Sequence, residues 1–393
     1  MKRFFVCFVL CVSLLRPFAA RSASFGSDFR TGAERIGDYL PLLEGRRVAL
    51  VANQTSVLRS SNGGYVHLVD SLLSLGVDIV FIFSPEHGFR GDVEAGGKVN
   101  SGVDAKTGLS VISLYGSNKK PSVEQMEKCD VVLFDLQDVG CRFYTYISTL
   151  HYVMEACAAS KRELILLDRP NPNDYVDGPV LDTAFSSFVG MHPVPVVHGM
   201  TVGEYARMIN GEHWLEGGVQ CDLRVVEMKG WKHGMDEVYT LPVAPSPNLR
   251  TSEAIALYPS LCFFEGTLVS VGRGTDTPFE IIGYPQYWDK AFGFVPRSIK
   301  GVSDNPPYKG KKCYGLKDLK TRKGELDLTY LLKMYAECKD KKAFFNSFFD
   351  KLAGGDLLRR QIVALWDEQR IRLSWQEGLE AYKKIRTKYL LYE

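Results

Sequence analysis

The feature that most constrains the fold is a series of short apolar segments, each of which stops abruptly at polar residues. In chain order these segments cover residues 47–52, 77–83, 111–115, 131–134 and 164–167. Segments with the apolar spacing of helices, at residues 33–43, 66–75 and 144–160, alternate with them. Strands that are apolar on both faces and alternate with helices are typical of a parallel sheet covered on both sides. The first half is therefore predicted to be α/β, with a Rossmann-like parallel sheet.

The pattern changes after about residue 185. Thr201 and Glu204 have the spacing of a capping box and predict a helix, whereas residues 223–228 alternate like a half-exposed strand. The tail from residue 326 to 392 is largely helical, with Ser374 as an N-cap. These features predict a smaller α+β domain in the second half.

The first 23 residues follow a different pattern. Lys2 and Arg3 precede an apolar run over residues 4–15, and small residues follow from Ala19. This order is typical of a secretory signal peptide, and the run is shorter than the about 20 residues of a membrane-spanning helix. A buried N-terminal strand or helix is the alternative. We expect export to the periplasm or the extracellular space, without stable membrane insertion.

The predicted organisation is thus a signal peptide at 1–23, a Rossmann-like domain at 24–185 and an α+β C-terminal auxiliary domain at 186–393. Removal of residues 1–23 leaves 44 basic and 46 acidic residues. A near-neutral chain without a stripe of Lys and Arg is a poor nucleic-acid binder, so no nucleic-acid partner is expected. Seven cysteines stay in that chain without C-x-x-C spacing, so no disulfide framework is predicted, although one isolated bridge is an alternative. The sequence carries no signal for the oligomeric state.

Polar residues that follow the predicted strands are the candidates for chemistry. Parallel sheets bind ligands beyond the carboxyl ends of their strands, so these residues are expected to share one rim. They are Asn53, Glu86, His87, Asp135, Asp138, Asp168 and Asn171.

Glu86 is the leading catalytic candidate. It follows an apolar strand, and Pro85 before it restricts the backbone. A carboxyl group beside apolar walls has a raised pKa, which suits a general acid near neutral pH. A helix N-terminal carboxylate or a salt-bridge partner is the alternative interpretation.

A second cluster contains Asp135, Gln137, Asp138 and Arg142. Glycoside hydrolysis normally uses two carboxyl groups that flank the scissile bond, and Glu86 with Asp135 or Asp138 would supply them. For Asp138, helix capping is an equally good interpretation.

Further polar residues in rigid loops are candidates for substrate positioning. With the residues above, the complete set of predicted substrate-binding residues is Asn53, His87, Gln137, Arg142, Tyr144, Asp168, Asn171, His198, Asn248, Glu265, Arg273 and Glu280. For the Asp168 and Asn171 loop, a purely structural turn is the competing interpretation.

Several well-known motifs are absent from the sequence. It contains no phosphate-binding loop, no G-x-G-x-x-G after the first strand, no H-E-x-x-H and no G-x-S-x-G. Their absence weighs against a nucleotide enzyme, and no cofactor or metal is expected. A metal site without a motif, built from His87, Asp135 and Asp168, is the alternative.

Eight segments, taken in order, resemble the bacterial exo-β-N-acetylmuramidase family, which cleaves peptidoglycan fragments. They are RVALVANQT at 47–55, FSPEHGFRG at 83–91, LFDLQDVGCRFYT at 133–145, LDRPNP at 167–172, HGMTVGE at 198–204, PSPN at 245–248, FEGT at 264–267 and GRGT at 272–275, with PFE at 278–280 nearby. The resemblance runs from about residue 30 to the C-terminus.

The resemblance implies a Rossmann-like catalytic domain and a smaller C-terminal domain, with the active site in the cleft between them. It implies exo-acting release of N-acetylmuramic acid from the non-reducing end of peptidoglycan fragments, which are muramic acid-containing disaccharides and muropeptides. It places the suspected catalytic glutamate at Glu86 and implies no cofactor. Because muramic acid carries a lactyl carboxylate, we expect a cation in the site, with Arg142 or Arg273 in that role.

Two other functions stay open at this stage. A non-catalytic protein that binds wall sugars would keep the fold with a disrupted acid cluster, and a metal-dependent hydrolase of another wall bond would lose activity on chelation. Within the glycosidase hypothesis, the second carboxylate activates water or stabilises the transition state, or the substrate's acetamido group participates.

Overall fold

A computed structural model describes residues 28–60, 62–90, 97, 101–235 and 239–393, and the structural statements below refer to these residues. The signal peptide predicted for residues 1–23 lies outside them. Among the described residues, every helix is too short or too polar to cross a membrane.

The described residues contain fourteen strands. In chain order they are β1 (Val48–Ala52), β2 (Val57–Arg59), β3 (Tyr65–His67), β4 (Ile79–Ser84), β5 (Gly102–Val103), β6 (Ser110–Ser113), β7 (Val131–Asp135), β8 (Glu163–Leu167), β9 (Val176–Val180), β10 (Pro195–His198), β11 (Leu223–Val226), β12 (Ile282–Tyr284), β13 (Gly293–Phe294) and β14 (Cys313–Leu316).

Eleven α-helices accompany these strands in the described part of the chain. They are α1 (Ile36–Leu43), α2 (Leu68–Ser74), α3 (Val123–Met126), α4 (Tyr146–Ser160), α5 (Val202–Gly211), α6 (Ser252–Leu261), α7 (Thr329–Glu337), α8 (Phe349–Ala353), α9 (Leu357–Val363), α10 (Glu368–Leu373) and α11 (Gln376–Arg386).

The main sheet has seven strands in the order β11-β8-β7-β1-β4-β6-β5. Every neighbouring pair is parallel except β5 with β6. Every residue of the central strands β1 and β7 is buried, because helices cover both faces. Counted along the six parallel strands from β6, the order is 3-2-1-4-5-6, which is that of doubly wound dinucleotide-binding folds. The prediction of an α/β, Rossmann-like sheet is confirmed.

Strand β11 extends this sheet from beyond the boundary predicted at residue 185. It pairs in parallel with β8, from Leu223 opposite Leu164 to Val226 opposite Leu167. The alternation of residues 223–228 predicted a half-exposed strand, and it did not reveal which sheet the strand joins. An edge strand has the same alternation in any sheet, so only the tertiary contacts assign it.

The second half combines small sheets with helices, as predicted. Strands β12, β14 and β13 form an antiparallel sheet, and α7 to α11 follow it. The capping box at the start of α5 is confirmed, since the Thr201 side chain accepts from the backbone of Glu204 and the Glu204 side chain accepts from that of Thr201. Ser374 corrects a prediction, because it ends α10 and its hydroxyl donates to the Ile371 carbonyl at 2.6 Å instead of capping α11.

Candidate active site

A cavity of about 690 Å³ lies at the carboxyl end of the main sheet. Its walls combine residues that follow β4, β6 and β7 with residues of the second half. Its volume is in the range of sites for small organic ligands. Of the predicted residues, the cavity is lined by Glu86, His87, Tyr144, Glu265 and Arg273.

The backbone after β4 directs Glu86 into the cavity. The strand ends at Ser84, and the amide of Gly88 donates to the Pro85 carbonyl at 3.2 Å to close a tight turn. The third residue of this turn, His87, has a φ of 75°, a conformation that normally favours glycine. Such strain in a non-glycine residue is most often retained at functional sites. Glu86, at the second turn position, is 7% exposed.

Thr145 orients the Glu86 carboxyl group. Its hydroxyl donates to Oε2 of Glu86 at 2.6 Å, and both residues line the cavity. Thr145 lies directly before α4, so the helix start fixes its position. Thr145 is not among the predicted site residues, although it is the last residue of the segment at 133–145. The preceding Tyr144 hydrogen-bonds through its hydroxyl to the Pro245 carbonyl at 2.8 Å, which joins the two halves beside the cavity.

Glu265 supplies a second carboxylate to the cavity. Nε of Arg273 donates to Oε1 of Glu265 at 2.5 Å, and the Arg273 guanidinium lies 5.2 Å from the centre of the Phe279 ring. Among the described residues, Glu86 and Glu265 are the acids that line the cavity. Glu265 is among the predicted substrate-binding residues, and it lines the same cavity as Glu86.

Asp135 has a structural role in place of the predicted catalytic one. It is completely buried, and its two oxygens accept from Nε and Nη2 of Arg169 at 2.5 and 2.8 Å. Asp135 is the last residue of β7, which lies beside β1 in the sheet. Because Asp135 lies outside the cavity lining and its charge is already paired, it is removed from the catalytic candidates.

Asp138 also lies outside the cavity lining, but its environment is unusual. Its Oδ1 accepts from the amide of Gly140 at 2.7 Å, whereas its buried Oδ2 has no hydrogen-bond partner among the described residues. Burial raises the pKa of Asp138 to about 7, and the amides of Gly140 and Val139 only partly oppose this rise. The catalytic role of Asp138 stays a prediction.

This raised pKa predicts a measurable pH dependence. A carboxyl group whose pKa is higher in the folded than in the unfolded state stabilises the fold at low pH, and this contribution is lost as pH rises towards 7. Asp138→Asn keeps the Oδ1 acceptor and cannot ionise. We expect its unfolding free energy relative to wild type to increase by roughly 2–4 kcal/mol between pH 4 and pH 8. Urea denaturation across that range measures the difference, and parallel curves for the two proteins would contradict it.

Arg142 corrects the hypothesis that it binds the substrate's carboxylate. It is 0% exposed, and its guanidinium donates to the carbonyls of Pro179, Val194 and Leu352 at 2.7–3.0 Å. Burial lowers the pKa of Arg142 to about 9. The side chain joins β9 to the segment before β10 and to α8, so it links the first half to the second, and it is not part of the cavity lining.

Asp168 is likewise part of the framework. It is completely buried, and its oxygens accept from the Thr201 and Tyr392 hydroxyls at 2.7 and 2.6 Å and from the Gly203 amide at 2.9 Å. Burial raises the pKa of Asp168 to about 6, and these hydrogen bonds oppose the rise. The carboxyl group thus fastens the start of α5 and the C-terminal segment to the end of β8.

The other predicted substrate-binding residues lie outside the cavity lining, and each forms a hydrogen bond within the protein. These pairs are Asn53 with Tyr146, Gln137 with Pro170, Asn171 with Met200, His198 with Met200, Asn248 with Val302, and Glu280 with Thr251. No cluster of three metal-binding side chains occurs within the described ranges, so His87, Asp135 and Asp168 are not brought together there.

One wall of the cavity consists of residues that the sequence did not predict. Tyr115, Lys119 and Phe188 line it, and no acid or motif marked them. Tyr115 follows β6, which lies beside β4 with Ser113 opposite Ser84. The position of Tyr115 after a strand could therefore have identified it, because residues that follow β6 lie at the same edge of the sheet as Glu86.

Fold and site together define the class of this protein. It is an α/β protein whose parallel sheet carries, at its carboxyl end, a cavity with two glutamates and aromatic walls. Paired carboxyl groups in a cavity of this kind are the machinery of glycoside hydrolases.

The particular family follows from comparison with known proteins. The family model for the N-terminal part of the exo-β-N-acetylmuramidase NamZ matches residues 48–253, and the model for its C-terminal part matches residues 256–392. The chain therefore belongs to the exo-β-N-acetylmuramidase NamZ family.

Individual relatives agree with this assignment. The chain is 37% identical over 386 residues to the peptidoglycan β-N-acetylmuramidase NamZ of Bacillus subtilis. The alignment covers 92% of this chain and 91% of that protein. Crystal structures of two DUF1343 family proteins from Bacteroides fragilis have the same fold. One has a TM-score of 0.84 at 43% identity and the other 0.79 at 29% identity, and each comparison covers 93% of this chain and 99% of that one.

Proposed function

We propose that this protein is an exo-acting glycoside hydrolase that releases N-acetylmuramic acid from the non-reducing end of peptidoglycan fragments. The observation that carries the proposal is the cavity in which Glu86 and Glu265 are the acids of the described lining, in a chain of this family. The substrates are muramic acid-containing disaccharides and muropeptides. The sequence of residues 1–23 supports export, so the enzyme would work in the periplasm or outside the cell, in the recycling of the wall.

The geometry supports a role for each of the two acids. Glu86, largely shielded from water and oriented by Thr145, protonates the glycosidic oxygen as the bond breaks. Glu265, hydrogen-bonded to Arg273, supplies negative charge for the oxocarbenium-like transition state or activates the attacking water. If the substrate's acetamido group attacks instead, Glu265 orients that amide. The anomer formed first, followed by NMR, distinguishes retention from inversion.

The function is tested with the protein from residue 24 onward and two chromogenic glycosides, one of N-acetylmuramic acid and one of N-acetylglucosamine. We expect cleavage of the muramic acid glycoside only, unchanged by EDTA. Release of muramic acid from the non-reducing end of a defined tetrasaccharide establishes the exo action. Cleavage of neither glycoside would refute the proposal, and loss of activity on chelation would favour a metal-dependent hydrolase.

A further inference from the structure

Recognition of the lactyl group is the property that distinguishes a muramidase from other hexosaminidases. Muramic acid differs from glucosamine by a lactyl ether on O3, and the free lactyl group carries a carboxylate. A carboxylate taken into a partly enclosed cavity needs a cation or strong donors to replace its water. The cationic side chains that line the cavity are therefore the candidates for recognising the lactyl carboxylate.

Two side chains with permanent cationic character line the cavity in the described part of the chain, Arg273 and Lys119. Arg273 is engaged with Glu265 at 2.5 Å. Lys119 has no carboxylate within ion-pair distance among the described residues, whereas its neighbour Lys120 contacts Glu155 at 2.9 Å. Lys119 thus provides a positive charge on the wall that the protein itself does not neutralise there.

The Lys119 side chain is held against an aromatic surface. Its Nζ lies 4.7 Å from the centre of the Phe188 ring, and Phe188 in turn lies 5.9 Å from Tyr115 and is stacked on Tyr152. A cation over an aromatic face is attracted by about 0.5–1 kcal/mol at exposed sites, which favours one position of the flexible lysine chain. The aromatic rings also offer an apolar surface to the methyl group of a lactyl ether.

Strand order places this cation near the reacting bond. Strands β4 and β6 are parallel neighbours with Ser84 opposite Ser113, so the loops that carry Glu86 and Lys119 start side by side. Both residues line the same cavity. A sugar whose anomeric centre lies at Glu86 can therefore extend its O3 substituent along the wall formed by the β6 loop.

We propose that Lys119, with Phe188 and Tyr115, forms the subsite for the lactyl group, and that its ammonium pairs with a free lactyl carboxylate. The inference rests on the proposed function and narrows its substrate. A stem peptide converts the lactyl carboxylate into a neutral amide, so the enzyme prefers fragments from which the peptide has been removed.

The test combines a change in the protein with a change in the substrate. Chromogenic glycosides of N-acetylmuramic acid and of its lactyl N-methylamide are compared on wild type, Lys119→Gln and Lys120→Gln. We expect wild type to prefer the carboxylate in kcat/KM by about tenfold or more, since one charge-assisted contact is of that order. Lys119→Gln loses most of this preference, and added salt reduces it in wild type. The matched control Lys120→Gln keeps the wild-type ratio.

A Lys119→Gln protein that keeps the wild-type preference would overturn the proposal, as would a wild type without preference. Thermal unfolding of both variants establishes that they fold. If the proposed glycosidase function itself is wrong, wild type will cleave neither glycoside, and this outcome is distinct from a loss of preference. In that case calorimetric binding of N-acetylmuramic acid and its amide decides the subsite: unequal affinity that depends on Lys119 supports it, and equal affinity refutes it.

Discussion

Glu86→Gln is expected to lower kcat on a disaccharide of N-acetylmuramic acid and N-acetylglucosamine by about 10²–10⁴-fold, the usual contribution of a general acid. Glutamine retains an oxygen that can accept the Thr145 hydroxyl, so the cavity keeps its shape and KM should change little. Stopped assays with quantification of released N-acetylmuramic acid measure the effect.

Substrates with different leaving groups test whether Glu86 is the general acid. A nitrophenolate departs without protonation, whereas the sugar alcohol of a disaccharide does not, so loss of the acid should harm cleavage of the nitrophenyl glycoside much less. Glu265→Gln serves as the comparison, because a residue that stabilises positive charge at the anomeric centre is needed equally for both substrates. Equal losses for both substrates with Glu86→Gln would assign it a role other than that of the acid.

Asp135→Asn is expected to lower the unfolding free energy by about 3–5 kcal/mol, because it leaves Arg169 buried without its counter-charge. Asparagine has nearly the same shape as aspartate, so the decrease in unfolding free energy measures the effect of the missing charge and not that of a cavity. Urea denaturation followed by tryptophan fluorescence measures it.

Asp130→Asn is the matched control for this prediction. Asp130 also forms a two-point ion pair with an arginine, Arg47, but the side chains of the pair are 36% and 46% exposed. Exposed pairs contribute about 0–1 kcal/mol, so the control should remain close to wild type. If Asp135→Asn were as stable as wild type and catalytically inactive, the original hypothesis of a catalytic Asp135 would be restored.

The sequence predicted the fold well because its signal is local. Strands buried on both faces consist of consecutive apolar residues, and the segment at 131–134 matches β7 to within one residue. The position of Glu86 could be predicted for the same reason, since the end of β4 and the turn after it are visible in the sequence. The family resemblance, which rests on eight segments, is confirmed by both family models.

The site was harder to predict because a strand end can face either a ligand or the rest of the protein. Asp135, Asp138 and Glu86 all follow strands, yet Glu86 alone of the three lines the cavity. The three acids differ in the residues that surround them in the folded protein. Asp135, for example, pairs with Arg169, which is distant from it in the chain. Lys119 carried no local signal at all, because its position follows from the pairing of β4 with β6.

The contacts of Tyr392 have a consequence for the order in which the protein is assembled. This residue donates to Asp168 at 2.6 Å and accepts from the amide of Met228 at 3.0 Å, while the amide of Leu391 donates to Glu204 at 2.8 Å. These residues lie far beyond the last strand of the main sheet in the chain, and yet they satisfy a carboxyl group at the end of β8. The main sheet therefore cannot reach its final state until this distant segment has docked. A proteolytic fragment that stops before Leu391 would contain every strand of the main sheet and still lack these closing contacts.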